Sequence, residues 1–252
     1  ISNNPKIKSV NPIVGETNDG RLNDIQGRHV KKKHVFEAIK NAKSGPVKEG
    51  SVGAGTGTRA LGFKGGIGTS SRVLPKKLGG YSIGVLVQSN FGNSLVVNGA
   101  PVGRELSRSS FSSSIPYDDD EGSCMIVIAT DAPLSNRNLK RIAKRAIIGI
   151  GKVGGYASNG SGDYVIAFST YKDTSNDHLT IKRTSVRNNA MTSLFQATVE
   201  ATEEAIINSI FMAETISSSI GKSEELPIDE TIKILKKYKS LNWNKELHPW
   251  KK

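Results

Sequence analysis

The feature that constrains this chain most is a junction. Residues 106–122 (LSRSSFSSSIPYDDDEG) are rich in serine, acidic at their end and without apolar period, and they run directly into the apolar stretch 124–130 (CMIVIAT). The first kind of segment reads as an exposed linker in which chain breaks are tolerated. The second reads as a central strand. Between them stands Gly122-Ser123. If the Ser123 hydroxyl attacks the preceding carbonyl, an N-to-O acyl shift followed by hydrolysis gives a chain that starts with a free Ser123 amine. Such an amine titrates at about 7.7 to 8.0, so its neutral form can act as general base for its own hydroxyl without a histidine. Gly122 offers no Cβ to obstruct the strained peptide that the shift passes through. Taken alone, a Gly-Ser pair before a strand is common, and the reading without chemistry would win.

The rest of the chain supplies a setting for that strand. Apolar Val35, Phe36 and Ile39 predict an amphipathic helix over 29–42, stopped by Ser44-Gly45-Pro46. Residues 81–88 (YSIGVLVQ) predict a buried strand, 95–105 a further strand with the turn Asn98-Gly99, and 164–169 (YVIAFS) another. The clearest helix has Leu139, Ile142, Ala143, Ala146, Ile147 and Ile150 on one face, with Ser135 as N-cap. A second long helix spans 189–214, and a weaker one 228–238. Buried strands alternating with one-sided helices predict a layered α/β sandwich, and 252 residues suit one domain.

Several functions are disfavoured. The net charge of +12 invites a nucleic-acid reading, but the Lys and Arg residues are scattered, with no zinc-finger spacing or aromatic RNA-binding signature beside them. No apolar run approaches the roughly 20 residues of a membrane-spanning helix, so no membrane partner is expected. The glycine tract 53–71 (GAGTGTRALGFKGGIGTSS) fails as a Walker loop, because Phe63 separates Gly62 from Lys64 and Gly65 follows it. Its glycines read as sites of close backbone approach or positive φ. His29, His34, His178 and His248 lack ligand spacing, and Cys124 is the only cysteine, so neither a metal nor a cofactor is expected. The sequence starts at Ile1 without a methionine, so any signal peptide would lie upstream; a cytoplasmic location is expected, with the periplasm as the alternative.

A set of motifs then narrows the field. Glu16-Thr17-Asn18-Asp19-Gly20 with 22–25 (LNDI), His34-Val35-Phe36, Ser44-Gly45-Pro46-Val47 and 62–69 (GFKGGIGT) come in that order. They are followed by 84–92 (GVLVQSNFG), 122–133 (GSCMIVIATDAP), 159–164 (NGSGDY) and Ala213-Glu214-Thr215. Through these stretches the chain resembles the L-aminopeptidase D-esterase/amidase family, the DmpA-like or β-peptidyl aminopeptidases. The resemblance implies a four-layer αββα sandwich of the N-terminal-nucleophile-hydrolase-like type, also seen in ornithine acetyltransferases. It implies a single catalytic domain over 1–252, cut into an α-chain portion, 1–122, and a β-chain, 123–252, that stay together, usually in a homo-oligomer of four or more copies. Relatives of this kind carry a further stretch upstream of the Glu16 motif.

The resemblance also assigns roles. Ser123 is the implied nucleophile for autocleavage after Gly122 and for turnover of small peptides, amino-acid amides or esters. Ser161 hydrogen-bonds it, Asp163 fixes the amine or its proton, Asn90 is the oxyanion donor, and Glu16 receives the substrate's free amino group. Read without the resemblance, Ser161, Asp163 and Asn90 are turn residues and Glu16 is a loop charge. An acetyltransferase of the ornithine type is one alternative, although those proteins use threonine where this chain has Ser123. A basic, non-catalytic nucleic-acid-binding protein is the other.

Overall fold

The computed structural model describes residues 8–108, 122–173 and 183–241. Most of the 106–122 linker, His178 and His248 therefore lie outside the described residues. The chain opens with helix α1 (Lys32–Asn41) and two very short strands, β1 (Arg59–Ala60) and β2 (Phe63–Lys64). The centre is a four-stranded sheet of β3 (Ile67–Val73), β4 (Ser82–Asn90), β5 (Ser123–Thr130) and β6 (Gly162–Ser169), in that spatial order. The β3-β4 and β4-β5 pairs are antiparallel, and β5-β6 is parallel. A parallel pair needs a long crossover, and helix α3 (Asn136–Lys152) provides it.

Side chains alternate across a strand, which gives this sheet two different faces. On one, Ile83, Val85, Val87, Cys124, Ile126 and Ile128 are buried beneath α3 and helix α4 (Met191–Phe211). Ser135 caps α3, its hydroxyl accepting the Asn138 N–H at 3.4 Å, as the sequence predicts. On α4, Thr198 and Thr202 are fully buried yet satisfied, because their hydroxyls donate to the carbonyls of Leu194 and Thr198 at 2.7 and 2.8 Å. The other face carries Gln88, Asn90, Ser123 and Met125, and is only partly covered, with Tyr164 and Phe168 exposed. The described residues thus supply one helical layer and one sheet of the sandwich.

The chain closes with the short pair β7 (Ile216–Ser217) and β8 (Lys222–Ser223) and with α5 (Ile228–Lys237). The short helix α2 (Val102–Glu105) stands where the sequence predicts the end of a strand. Residues 95–101 are loop, and only the turn survives: Asn98 and Gly99 both have positive φ (47° and 81°), and Val97 and Ala100 exchange two backbone hydrogen bonds across them. That is the backbone pattern of a tight primed turn, with no continuing partner strand on either side. Ile147, predicted on the buried face of α3, is exposed. Conversely, β3 begins inside the glycine tract, where no strand is expected. There, a Cβ on Gly68 would collide with the Ala205 carbonyl of α4, so the glycine marks a strand pressed against a helix backbone, one of the two readings given to the tract.

Candidate active site

Ser123 is the first residue of β5 and is half-buried. Its register partners are Asn90, the last residue of β4, and Gly162, the first of β6. The ends of three adjacent strands therefore meet at the serine. The apolar run of β5 fixes this: its even-numbered residues 124–130 enter the core under the helices, which turns Ser123 to the opposite face.

The peptide before Ser123 is tightly held. Gly122 is buried, and a Cβ there would lie 2.8 Å from Phe91 Cα and 3.0 Å from Phe91 Cβ. Only glycine lets the backbone sit so close to the backbone of Phe91-Gly92. Its carbonyl oxygen accepts two hydrogen bonds, from the Ser123 hydroxyl at 2.7 Å and from the backbone N–H of Gly162 at 2.9 Å. The nucleophile predicted from the junction thus lies against the bond it would break.

Asn90 faces the same side as Ser123 but is anchored at both ends. Its Oδ1 accepts the Arg59 N–H at 3.0 Å, and its Nδ2 donates to the Asn18 carbonyl at 2.8 Å. Glu16 is exposed and lies on a segment that crosses this face: Gly15 is packed on Met125, and Thr17 accepts a hydrogen bond from Gln88 Nε2 at 2.7 Å. The segment brings Glu16 over the same sheet face as Ser123, which its distance in sequence conceals.

Ser161 and Asp163 flank Gly162, the register partner of Ser123. Asp163 pairs with Cys124 and so points away from the Ser123 face. Burial raises its carboxyl above the usual range, while hydrogen bonds from Ser161 and the Cys124 backbone pull it back. Its Oδ1 is buried with no hydrogen-bond partner among the described residues. Cys124 is fully buried, and burial, reinforced by Asp163, pushes its thiol well up, so it is an inert strand residue.

Two supporting features are not legible in the sequence. One is the Gly162 amide, because a backbone donor leaves no residue signature. The other is Lys64, fully buried, whose Nζ donates to the carbonyls of Gly55 and Gly65 at 2.6 and 2.7 Å. These bonds fasten together the glycine-rich loops beside Arg59, and so the segment that anchors Asn90. Among the described residues no cluster of three or more His, Cys, Asp or Glu could hold a metal, and no helix is long and apolar enough to cross a membrane.

Known proteins place this geometry. The structure matches the L-aminopeptidase D-Ala-esterase/amidase of Ochrobactrum anthropi, described as a new variant among the Ntn hydrolase fold, with a TM-score of 0.83 at 36% identity, covering 95% of this chain and 66% of that one. The PH0078 protein of Pyrococcus horikoshii OT3 matches with a TM-score of 0.82 at 44% identity, covering 95% and 67%. The fold class is therefore that of the N-terminal-nucleophile hydrolases, in this variant form. The model of peptidase family S58 matches residues 2–223, and the chain belongs to that family. A β-peptidyl aminopeptidase, BapA of Sphingosinicella microcystinivorans, is 44% identical over 91% of this chain and 62% of its own. The chain spans about three fifths of the length of the curated relatives it matches, at 62% and 60%. Neither the acetyltransferase nor the nucleic-acid-binding alternative finds support among these relatives.

Proposed function

We propose that this chain is the catalytic part of a self-cleaving serine aminopeptidase that removes N-terminal residues from small peptides, amides or esters through an acyl-enzyme on Ser123. The observation that carries the reading is the contact between the Ser123 hydroxyl and the Gly122 carbonyl, 2.7 Å apart at the head of the central strand. Cleavage there liberates the Ser123 amine, which in its neutral form takes the proton from Oγ as that oxygen attacks a substrate carbonyl. The amine then passes the proton to the leaving group, and water hydrolyses the ester.

Asp163, with Ser161 hydrogen-bonded to it, lies on the core-facing side of the strand end and holds the new amine once cleavage frees it to turn that way. Asn90 supplies an oxyanion donor once substrate displaces its bond to Asn18. Glu16 receives the substrate's ammonium, which restricts attack to chain ends. Peptides with β-amino acids at the N-terminus are the first substrates to test, since relatives are named for that activity. Assembly into a homo-oligomer belongs to the same reading. The wild-type protein is expected to hydrolyse aminoacyl p-nitroanilides, and Ser123→Ala to lose that activity entirely. Turnover that persists in Ser123→Ala would sink the assignment.

A further inference from the structure

We propose that the backbone N–H of Gly162 is the oxyanion donor for self-cleavage of the Gly122-Ser123 bond. The inference rests on the self-cleavage reading above and assigns within it a donor that side-chain chemistry does not reveal.

The Gly122 carbonyl oxygen has two donors, and they behave differently as the reaction proceeds. The Ser123 hydroxyl, at 2.7 Å, must give up its bond to that oxygen when Oγ turns on the carbonyl carbon. The Gly162 N–H, at 2.9 Å, stays. A new Oγ–C bond forms, the carbonyl electron pair moves onto oxygen, and the hydroxyl proton passes to the Ser123 nitrogen. The C–N bond then breaks, leaving a Gly122 ester and a free amine, and water splits the ester to restore Oγ–H and give a Gly122 carboxylate. Negative charge therefore builds on the one atom that the Gly162 N–H already contacts.

Three observations make this donor effective. The bond is part of the parallel β5-β6 ladder at the Ser123-Gly162 pair, so the sheet fixes its direction and no reorganisation is needed at the moment of reaction. Gly122 is pinned from behind by the Phe91-Gly92 backbone, which keeps the carbonyl from swinging off its donor. Asn90, the other polar group at this strand end, is already engaged with Arg59 and Asn18.

The test replaces only the donor. Glycolic acid at position 162 substitutes an ester oxygen for the N–H and adds no side chain, so nothing new presses on the Tyr164 ring or on Ser123 Oγ, where a Cβ would lie 3.1 and 3.5 Å away. In the full chain, the rate at which a fragment starting at Ser123 appears is followed by intact mass. The glycolate protein is expected to cleave about 10²- to 10³-fold more slowly than wild type. Wild-type speed in the glycolate protein would overturn the proposal while leaving self-cleavage standing. A wild-type chain that never cleaves would remove the underlying reading instead. Amide exchange in uncleaved Ser123→Ala protein gives an independent check: the Gly162 N–H should be protected there and exchange faster in the cleaved wild type, and free exchange in the uncleaved form would also refute the assignment.

Discussion

The two faces of the central sheet are built from the same four strands and do opposite work. Under α3 and α4, Val85, Val87, Ile126 and Ile128 are packed to near-complete exclusion of water, and each contributes mainly through apolar area and tight packing. On the other side, Asn90, Ser123 and Gly162 sit at strand ends, half-buried, joined by hydrogen bonds to loops. The difference shows how a rigid sheet can hold the serine proposed to react. The covered face fixes the register, and the register places three strand ends around one hydroxyl.

That comparison is open to attack from both sides. On the covered face, Ile126→Ala should cost about 2–5 kcal/mol of stability, measured by denaturant unfolding, while the fraction that stays folded still cleaves itself. On the reactive face, Asn90→Ala should lower turnover by about 10²- to 10³-fold, with a much smaller change in unfolding midpoint. Glu16→Gln should raise KM for free-amine substrates by roughly 10- to 100-fold, the worth of one charge-assisted hydrogen bond, with kcat nearly unchanged; equal falls in kcat and kcat/KM, with KM unchanged, would move Glu16 out of amine binding.

A pH-dependent effect concerns Lys64, which burial lowers to about 8 from its ordinary 10.5. Below pH 8 the charge is present in both folded and unfolded chains, and the burial penalty is fully felt. Between about 8 and 10.5 the unfolded chain holds the extra proton, so stability should rise with pH across that window. The rise should vanish in Lys64→Met, and an identical profile in both proteins would show that this lysine is not the titrating group.

What could be read from the sequence followed the same division. Strands β4, β5 and β6 announce themselves through apolar runs, and α3 through its period and its Ser135 cap. Strand β3 does not, because its helix-facing positions Gly68, Ser70 and Arg72 are small or polar where α4 lies against the strand. The Leu95–Glu105 stretch misled because a genuine hairpin-type turn at Asn98-Gly99 lacks strands to join. In the candidate site, the place of Ser123 at the head of β5 was legible from the abrupt change at its junction. Its nearness to Asn90 and Gly162 was not, since pairing register is a property of the folded sheet, and the Gly15–Asn18 segment reaches it only through contacts with Met125, Gln88 and Asn90.

The central claim is that the sheet presents the Gly122-Ser123 bond for attack by its own serine. Intact mass spectrometry of the purified full chain tests this most directly. Two fragments whose masses meet between Gly122 and Ser123 are the expected result. A single uncut polypeptide after prolonged incubation, in a protein that still turns over aminoacyl substrates, would contradict it.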